Sequence, residues 1–284
     1  VESQGSVEIT TPVSPGKHLG RRGEDVRAGS VLFASGRRLR PQDVGLLASV
    51  GLARVEVVRH PRVRLVITGN ELVEPGEVRG PHEIYESNSS MLEALVGRDG
   101  GETVERLRAE DSRDAVRAAI TKPDADVVLV SGGSSIGRED HAPAVLAAEG
   151  ELAIHGIAMR PSSPAGMGRI GSCLVFLLPG NPVSCLCAYD FFAGRAIRQM
   201  GGGRPDWPYP AIRAAVSRKI VSVVGRVDYC RVAIDGDRLE PLAVSGAGIL
   251  SSTTRADGFV IVPAESEGYA PGAVVTAYRY DAGS

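Results

Sequence analysis

The stretch ADVVLVSGG, residues 125–133, decides the architecture of this chain. Four apolar residues, three of them β-branched, run together and stop at a serine and two glycines. A short and uniformly apolar run of this kind is typical of a strand that is buried on both faces of a parallel sheet. The pattern recurs in RVRLVITGNEL, residues 62–72, and in SCLVFLLPG, residues 172–180. Three such runs predict the centre of a parallel sheet.

Segments with helical character lie between and after these runs. SNSSMLEALVGRDG, residues 87–100, begins with capping residues, carries an apolar face and ends in glycine. SRDAVRAAITK (112–122), EDHAPAVLAAEG (139–150) and NPVSCLCAYDFFAGRAIRQM (181–200) are also predicted helices, whereas ELAIHGIAM (151–159) is a further predicted strand. Strands that alternate with helices predict a three-layer α/β domain with a mainly parallel sheet, which we place at residues 61–202.

The two flanks of this domain have different patterns. Residues 1–60 predict a small mixed α/β segment, the remainder of β-rich and linker regions, with a short helix that ends at Gly51 and a strand after it. Residues 207–284 contain short alternating segments separated by Gly, Asp and Pro, which predict a small antiparallel β-barrel. GGGRPDWPYP, residues 201–210, is the predicted linker.

The composition excludes several classes of partner. Of the 284 residues, 43% are hydrophobic and 23% are charged, and the net charge of −2 provides no basic field for nucleic acid or an acidic membrane. No apolar run reaches the length of about 18 residues that a membrane span needs. The four cysteines do not form paired zinc-ligand motifs, so we expect buried, inert thiols and a reducing, cytoplasmic compartment.

Three glycine-bearing loops follow the predicted strands: TGNE (68–71), SGGSSIGRED (131–140) and LPGNPVS (178–184). The carboxyl ends of parallel strands share one edge of a sheet, and ligands of α/β domains bind there. Glycine allows a ligand to approach the backbone closely, and successive N–H groups bind anions. The loops therefore predict a site for a phosphate-bearing ligand, although glycine also serves in turns alone. None has the spacing of a conventional nucleotide-binding loop.

Acidic residues accompany these loops. A carboxylate at Glu71, Glu139 or Asp140, beside an anion site, is costly unless it binds a metal, accepts a ligand proton or exchanges one. For Asp140 the alternative is a cap of the following helix. His141 and His155 lack metal-ligand spacing and are predicted to be structural. Ser184 does not lie in a G-x-S-x-G motif, which disfavours hydrolase chemistry.

With these residues in hand, the chain resembles the molybdopterin molybdenumtransferases, the molybdenum insertase (MoeA) family that includes the E domain of gephyrin. The shared stretches extend over nearly the whole chain in the family's order. They are TPVSPGKHLGRRGEDVRAG, LVITGNELVEPGEV, IYESNSSMLEALV, VVLVSGGSSIGREDHA, LLPGNPVSCLCAYDFF and ILSSTTRADGFVIVPAESEG.

The resemblance implies a molybdopterin-binding α/β domain followed by a β-barrel, in an elongated homodimer whose cleft is shared between subunits. It implies a reaction in which molybdenum from molybdate enters adenylylated molybdopterin and AMP is released. A divalent cation such as Mg²⁺ would assist hydrolysis of the adenylate. A molybdopterin adenylyltransferase is a further partner that the resemblance suggests.

Site residues carry over by matching motifs. The resemblance places the catalytic acids at Asp140 and Glu71, with Asp140 also in the metal region. Residues matched to molybdopterin binding are Thr68, Gly69, Gly132, Gly133, Ser134, Ser135, Pro179, Gly180 and Asn181. Residues matched to molybdate binding are Arg160, Ser163, Pro164, Ser184, Arg231, Ser251 and Ser252. Cations, hydroxyls and backbone N–H groups are the donors that a tetrahedral dianion requires.

Three motifs depart from the family pattern. Asn70 stands for the usual Asp, Arg160 and Ser163 stand for two usual lysines, and Glu86 stands for an Asp. The family's N-terminal Asp-Gly-Tyr-Ala stretch is not in this sequence, which begins with Val, so we expect that the chain starts just after it. The departures leave two alternatives open: a molybdopterin-binding paralogue that acts as carrier or scaffold, and a related α/β enzyme for another phosphorylated ligand.

Overall fold

The computed structural model describes residues 2–3, 5–7, 10–133, 140–243 and 246–281. The contacts between residues divide the chain into two units, residues 1–57 and residues 58–284. No helix within these described ranges is long and apolar enough to cross a membrane.

The first unit contains a short hairpin and one helix. Strands β1 (Glu2–Ser3) and β2 (Ser6–Val7) pair antiparallel, and helix α1 spans Pro41–Ser49. The Asp43 carboxylate accepts the backbone N–H of Arg40 at 3.0 Å, which satisfies a donor at the start of the helix. The strand expected over residues 54–58 does not form. A strand needs a neighbour to accept its backbone hydrogen bonds, and within the described chain no strand pairs with this segment.

The second unit begins with a six-stranded sheet, as the apolar runs predicted. Strands β3 (Arg62–Thr68), β6 (Glu102–Ala109), β7 (Val127–Ser131) and β11 (Cys173–Leu178) are parallel, and the spatial order is β6-β3-β7-β11. Strands β10 (Gly166–Ile170) and β8 (Glu151–His155) extend the sheet antiparallel beyond β11. Between β3 and β6 the chain also forms the short pair β4 (Leu72–Val73) and β5 (Ile84–Tyr85). The sheet is therefore mainly parallel.

Helices cover both faces of this sheet and complete the predicted three layers. On one face α2 (Asn88–Arg98) packs beside a continuous helical segment made of α5 (Pro182–Ala188), a π-helical turn (Tyr189–Ala193) and α6 (Gly194–Met200). On the other face α3 (Arg113–Thr121) and α4 (Ala142–Glu149) enclose a second apolar core.

The sequence pattern did not predict strands β6 and β10. β6 carries Glu105, Arg106 and Arg108 because it lies at the edge of the sheet, so its apolar signal is weak. β10 contains glycine where its neighbour approaches closely: a Cβ on Gly168 would lie 1.9 Å from the carbonyl oxygen of Glu151. The edge position of β6 and the close strand contact at β10 are tertiary features, and the hydrophobic periodicity of a sequence does not reveal them.

The barrel predicted at the C-terminal end is present. Five strands close on themselves in the order β15 (Arg238–Ala243), β12 (Ala211–Val216), β18 (Val274–Arg279), β16 (Gly258–Val262) and β14 (Val227–Asp235), with β14 pairing back to β15. The strands enclose an apolar core. The short pair β13 (Ile220–Val221) and β17 (Gly268–Tyr269) and the helix α7 (Ser251–Thr254) lie outside the closed sheet.

The α/β domain contributes a strand to the barrel. β9 (Met159–Arg160) pairs in parallel with β14, with Met159 opposite Val227 and Arg160 opposite Asp228. The predicted linker is packed against both domains. The centroid of the Trp207 ring lies 4.9 Å from that of Phe191 and 5.5 Å from that of Phe259, and both pairs are edge-to-face. The two domains therefore share an aromatic core.

A buried network of charged and polar side chains stabilises the junction between the α/β domain and the barrel. Asp190, in the π-helical turn, accepts from Arg98 at 2.9 Å and from the Tyr209 hydroxyl at 2.9 Å. Burial raises the pKa of the Asp190 carboxyl, and the Arg98 charge opposes that shift. The network ties α2, the π-helical turn and the linker together.

Candidate functional site

A cavity of about 790 Å³ opens where the carboxyl ends of β3, β7 and β11 meet. This is the position at which parallel α/β sheets bind ligands. Its described lining comes from all three glycine loops, from the β5–α2 connection and from the loops after β6 and β15. The lining residues are Ile67, Thr68, Gly69, Glu71, Leu72, Ile84, Tyr85, Glu86, Ser87, Asn88, Asp111, Ser131, Gly132, Gly133, Asp140, Pro164, Pro179, Gly180, Asn181, Pro182 and Gly248.

Gly132 allows the three strand ends to converge. Its φ is +94°, and an added Cβ would lie 2.4 Å from the carbonyl oxygen of Thr68. Its N–H donates to the carbonyl of Leu178 at 3.2 Å, so the loop after β7 contacts β3 on one side and β11 on the other. Any other residue at this position would combine an unfavourable φ with a steric clash.

Asn88 joins two of the loops at the floor of the cavity. Its Nδ2 donates to the Ser131 hydroxyl at 2.9 Å and to the Gly180 carbonyl at 2.7 Å. Its Oδ1 is buried and has no hydrogen-bond partner in the described chain, and the same holds for the Thr68 hydroxyl. Buried polar atoms without partners are rare, and at a cavity they mark positions for ligand groups.

The described lining is acidic. It includes the carboxylates of Glu71, Glu86, Asp111 and Asp140, whereas none of the described lining residues is Lys or Arg. Such a surface favours cations and the N–H or O–H groups of a ligand over a bare anion. A phosphate in this cavity therefore requires a compensating cation or donors from the backbone.

Glu86 has a structural role as well as a place in the lining. It is 4% exposed, and its carboxylate accepts the backbone N–H of Ser89 at 2.9 Å and also the Ser89 hydroxyl. Arg106 lies 3.9 Å from the same carboxylate. The carboxylate therefore satisfies a donor at the start of α2, which explains an acid at this position.

Asn70 is linked to the loop after β6. Its backbone N–H donates to the Asp111 carboxylate at 2.8 Å, and its side-chain oxygen accepts from the Asp111 N–H at 3.3 Å. The Glu71 carboxylate lies beside Gly69, where a Cβ would be 3.1 Å from Oε1. The amide at position 70 thus holds Asp111 at the cavity without adding another negative charge.

Asp140 lies in the cavity lining, two residues before α4. The N-cap position of α4 is His141, whose side chain makes no capping hydrogen bond, and Asp140 immediately precedes it. Within the described residues no group of three His, Cys, Asp or Glu side chains is arranged to hold a metal ion. The carboxylates present are nevertheless the hard oxygen donors that Mg²⁺ takes when it binds through one or two acids and a substrate phosphate.

The residues matched to molybdate lie mostly outside the described cavity lining, with Pro164 as the member inside it. Arg160 pairs with Asp228, a completely buried carboxylate in β14. Asp228 also accepts from Arg226 at 3.1 Å and from the Ser222 hydroxyl at 2.9 Å. The Arg160 guanidinium therefore already has an anionic partner at the junction with the barrel.

The other matched residues lie at the same junction or in the barrel. Ser163 is exposed, and the preceding Ser162 is buried with a φ of +99° and donates its hydroxyl to the Ser184 carbonyl at 2.7 Å. Arg231 is completely buried in β14, and Ser252 in α7 is buried while Ser251 is exposed. Ser134 and Ser135 lie outside the described residues.

The thiols match the expectation of inert cysteines. Cys185, Cys187 and Cys230 are buried, and Cys173 is partly buried. Burial raises the pKa of Cys185 and of Cys230 to about 12. No disulfide joins these four residues.

Thr68, Gly69, Glu71, Gly132 and Asp140 therefore meet at one cavity. The matched residues Gly133, Pro179, Gly180 and Asn181 join them. The sequence predicted Asn88 or Ser89 as the N-cap of α2, whereas the N-cap is Ser87 and Asn88 is the first residue of the helix. Asp111 was not selected. The signal for Asn88 was weak because an Asn beside a serine run before a helix is ordinary capping chemistry.

The fold and the cavity define a protein of the molybdopterin-binding class. Residues 64–199 match the family described as "probable molybdopterin binding domain", residues 1–51 match the MoeA N-terminal region and residues 213–280 match the MoeA C-terminal region. The chain belongs to the MoeA family.

Individual relatives agree with this assignment. A Methanocaldococcus jannaschii protein named for molybdopterin biosynthesis is 30% identical over 96% of this chain and 68% of its own length. Molybdopterin molybdenumtransferase 2 of Mycobacterium tuberculosis is 38% identical over 81% of this chain and 58% of its own length. The crystal structure of a molybdopterin biosynthesis MoeA protein from Pyrococcus horikoshii superposes with a TM-score of 0.79 at 33% identity, covering 91% of this chain and 64% of that one. The chain thus spans about two thirds or less of these relatives.

Proposed function

We propose that this chain acts in molybdenum cofactor biosynthesis as a molybdenum insertase, which transfers molybdenum from molybdate into adenylylated molybdopterin and releases AMP. Relatives named molybdopterin molybdenumtransferase support the role in cofactor biosynthesis. The observation that carries the proposal is the cavity in which three strand-end loops meet around buried, unpartnered acceptors.

The chemistry needs no change of oxidation state. Water attacks one of the two phosphorus atoms of the P–O–P linkage, and the bridging oxygen leaves with the other phosphate, so that AMP is released. Two oxygens of molybdate leave as water or hydroxide while two dithiolene sulfurs take their places on molybdenum. The protein must therefore bind a phosphorylated pterin, position a water and supply or remove protons.

The residues of the cavity fit these tasks. The backbone at Gly69, Gly132 and Gly180 allows close approach of the ligand to the strand ends. Glu71 and Asp140 would hold Mg²⁺, which when bound neutralises charge on the transferred phosphate. A carboxylate of the pair would accept a proton from the attacking water.

Further parts of the proposal follow from the family likeness. They are a cytoplasmic homodimer, small-molecule substrates, the hand-over of substrate by a molybdopterin adenylyltransferase, and molybdate contacts at Arg160, Ser163, Pro164, Ser184, Arg231, Ser251 and Ser252. Crystals soaked in molybdate test the last part: anion density between Ser163, Ser184 and the barrel residues is expected. A fully occupied anion elsewhere would contradict this placement.

Reconstitution tests the reaction itself. The purified chain is incubated with adenylylated molybdopterin, molybdate and Mg²⁺, and AMP release and activation of a cofactor-free molybdoenzyme are measured. We expect both products, and a matched incubation without molybdate is expected to give no enzyme activation. Absence of both products would contradict the insertase proposal.

A second candidate is a molybdopterin-binding carrier or scaffold without catalysis. It is favoured by Asn70, which replaces a usual acid, and by the engagement of Arg160 with Asp228. This candidate predicts tight binding of molybdopterin with no AMP release, whereas measurable turnover eliminates it.

A further inference from the structure

We propose that Asn88 recognises the pterin ring itself, by accepting an N–H of the ring's 2-amino-4-oxo-pyrimidine edge at Oδ1. The inference rests on the proposed function and names a specificity-determining residue that the family motifs did not select.

The hydrogen bonds of Asn88 fix the orientation of its amide. A backbone carbonyl can only accept, so the atom that lies 2.7 Å from the Gly180 carbonyl must be Nδ2. The second bond, from Nδ2 to the Ser131 hydroxyl at 2.9 Å, uses the other amide hydrogen. Oδ1 is therefore held in one direction by two anchors and cannot exchange places with Nδ2.

The held oxygen lacks a donor. Asn88 is 7% exposed, and its Oδ1 has no partner in the described chain. A buried acceptor without a donor costs free energy, because it has lost its hydrogen bonds to water. The Thr68 hydroxyl, 4% exposed and also without a partner, lies in the same cavity. A ligand that brings donors to these two oxygens recovers that free energy.

The surrounding charge selects the part of the ligand that fits. The described lining contributes four carboxylates and no Lys or Arg, so its side chains offer a ligand mainly hydrogen-bond acceptors. The pyrimidine edge of a pterin carries an amino group and a ring N–H side by side, whereas a phosphate at neutral pH has acceptors only. We therefore place the ring edge, and not the phosphate, at Asn88 Oδ1.

A comparison of two pteridines tests this placement. Pterin has an amino group at position 2, and lumazine has a carbonyl oxygen there. The wild-type chain is titrated with each compound, and binding is followed by pteridine fluorescence. We expect pterin to bind roughly tenfold or more tightly than lumazine, because the carbonyl at position 2 would face Oδ1 and leave that oxygen without a donor.

Two variants separate recognition from structure. Asn88→Ala removes Oδ1 and both anchors, whereas Ser131→Ala removes one anchor and keeps Oδ1. We expect the preference for pterin to disappear in Asn88→Ala and to persist in Ser131→Ala, even where both variants lose affinity. Circular dichroism checks that each variant is folded. If a variant does not fold, the comparison of pterin with lumazine on the wild-type chain still tests the proposal.

The outcomes are distinguishable from those of the proposed function. If AMP is released but the wild type does not prefer pterin, or does not bind it, the assignment of Asn88 is wrong and the insertase proposal stands. Equal loss of preference in both variants also overturns it, since Asn88 would then act only as an anchor. If neither AMP release nor pteridine binding occurs, both proposals fail.

Discussion

At the scale of single residues, the side chains around the cavity and the junction separate into groups with completed partners and groups that await a ligand. Asp228 holds Arg160, Arg226 and Ser222, and its requirements are met within the protein. Asn88 has both amide hydrogens engaged and its oxygen unpaired. This difference distinguishes residues whose loss affects stability from those whose loss affects binding.

Asp140 is one of the carboxylates that line the cavity. We expect Asp140→Asn to lower AMP release at least roughly tenfold, because the carboxylate would hold the cation or accept a proton. The free energy of unfolding is expected to change by no more than about 0.5 kcal/mol, since a side chain in the loop before α4 contributes little packing. Turnover and urea denaturation check the two parts. Asp114→Asn, in the first turn of α3, is the matched control; a large loss of stability in Asp140→Asn alone would show a structural role.

Asp228 belongs to the first group. We expect Asp228→Ala to destabilise the chain by about 2–4 kcal/mol, because two guanidinium groups and a hydroxyl lose their common acceptor. Both arginines are about one-third exposed, which keeps the cost below that of a fully buried pair. Urea denaturation measures the effect, and Asp237→Asn, at an exposed turn, is expected to change little. An unchanged midpoint for Asp228→Ala would mean that the cluster does not fasten the barrel.

The thiols make a prediction about pH. Because burial raises the pKa of Cys185 and Cys230 to about 12, their thiolate fraction at pH 8 is roughly a thousandfold below that of an ordinary thiol. We expect slow reaction of the native chain with a disulfide reagent and rapid reaction of all four thiols in guanidinium. Above about pH 9 the unfolded chain releases thiol protons that the folded chain retains, so stability is expected to fall.

Cys173→Ser serves as the control for that experiment, because Cys173 is the partly buried thiol. Any fast reaction of the native chain is expected to vanish in this variant. A fast reaction that persists would place another thiol in contact with solvent.

At the scale of elements, the central strands were predictable because a strand that is buried on both faces has an uninterrupted run of apolar residues. The edges were not: β6 is rich in charge, and β10 is rich in glycine. The site was predictable to the extent that glycine loops follow strands, which identified Thr68, Gly69 and Gly132. The pairing of Arg160 with Asp228 was not, because 68 residues separate them and neither forms a local pattern.

The convergence of strand ends depends on Gly132, and its replacement tests this. We expect Gly132→Ala to destabilise the chain by clearly more than Gly225→Ala, which should cost about 1 kcal/mol. The φ angles are similar, +94° at Gly132 and +99° at Gly225, but an added Cβ lies 2.4 Å from the Thr68 carbonyl oxygen at Gly132 and has no atom within 4 Å at Gly225. The difference in the free energy of unfolding isolates the clash. Equal costs would mean that the loop after β7 shifts without penalty.

At the scale of the whole molecule, the second unit combines the α/β sheet with its helices and the β-barrel at one junction. The aromatic cluster draws its rings from both, and the buried network of Asp190 reaches the segment between them. Such an interface resembles the interior of a domain more than a hinge.

The chain contains one tryptophan, and Trp207 lies in that cluster. We expect its fluorescence and the far-ultraviolet circular dichroism of the chain to change with the same denaturation midpoint, because the two domains lose their shared core together. Trp207→Phe, which keeps an aromatic ring, is expected to unfold in one transition at a lower midpoint. Two separate transitions in the wild type would show that the barrel and the α/β domain unfold independently.

Strand β9 belongs to the α/β domain but pairs with the barrel, and this limits how genes of the family can be recombined. A chimera that takes the barrel of one relative and the α/β domain of another, joined near residue 206, would leave Asp228 facing a foreign β9. The exchange would preserve the charge pair only if the donor of the α/β domain carries a cation at position 160. Functional shuffling within this family should therefore move residues 159–164 together with the barrel, although they lie about 50 residues upstream of its first strand.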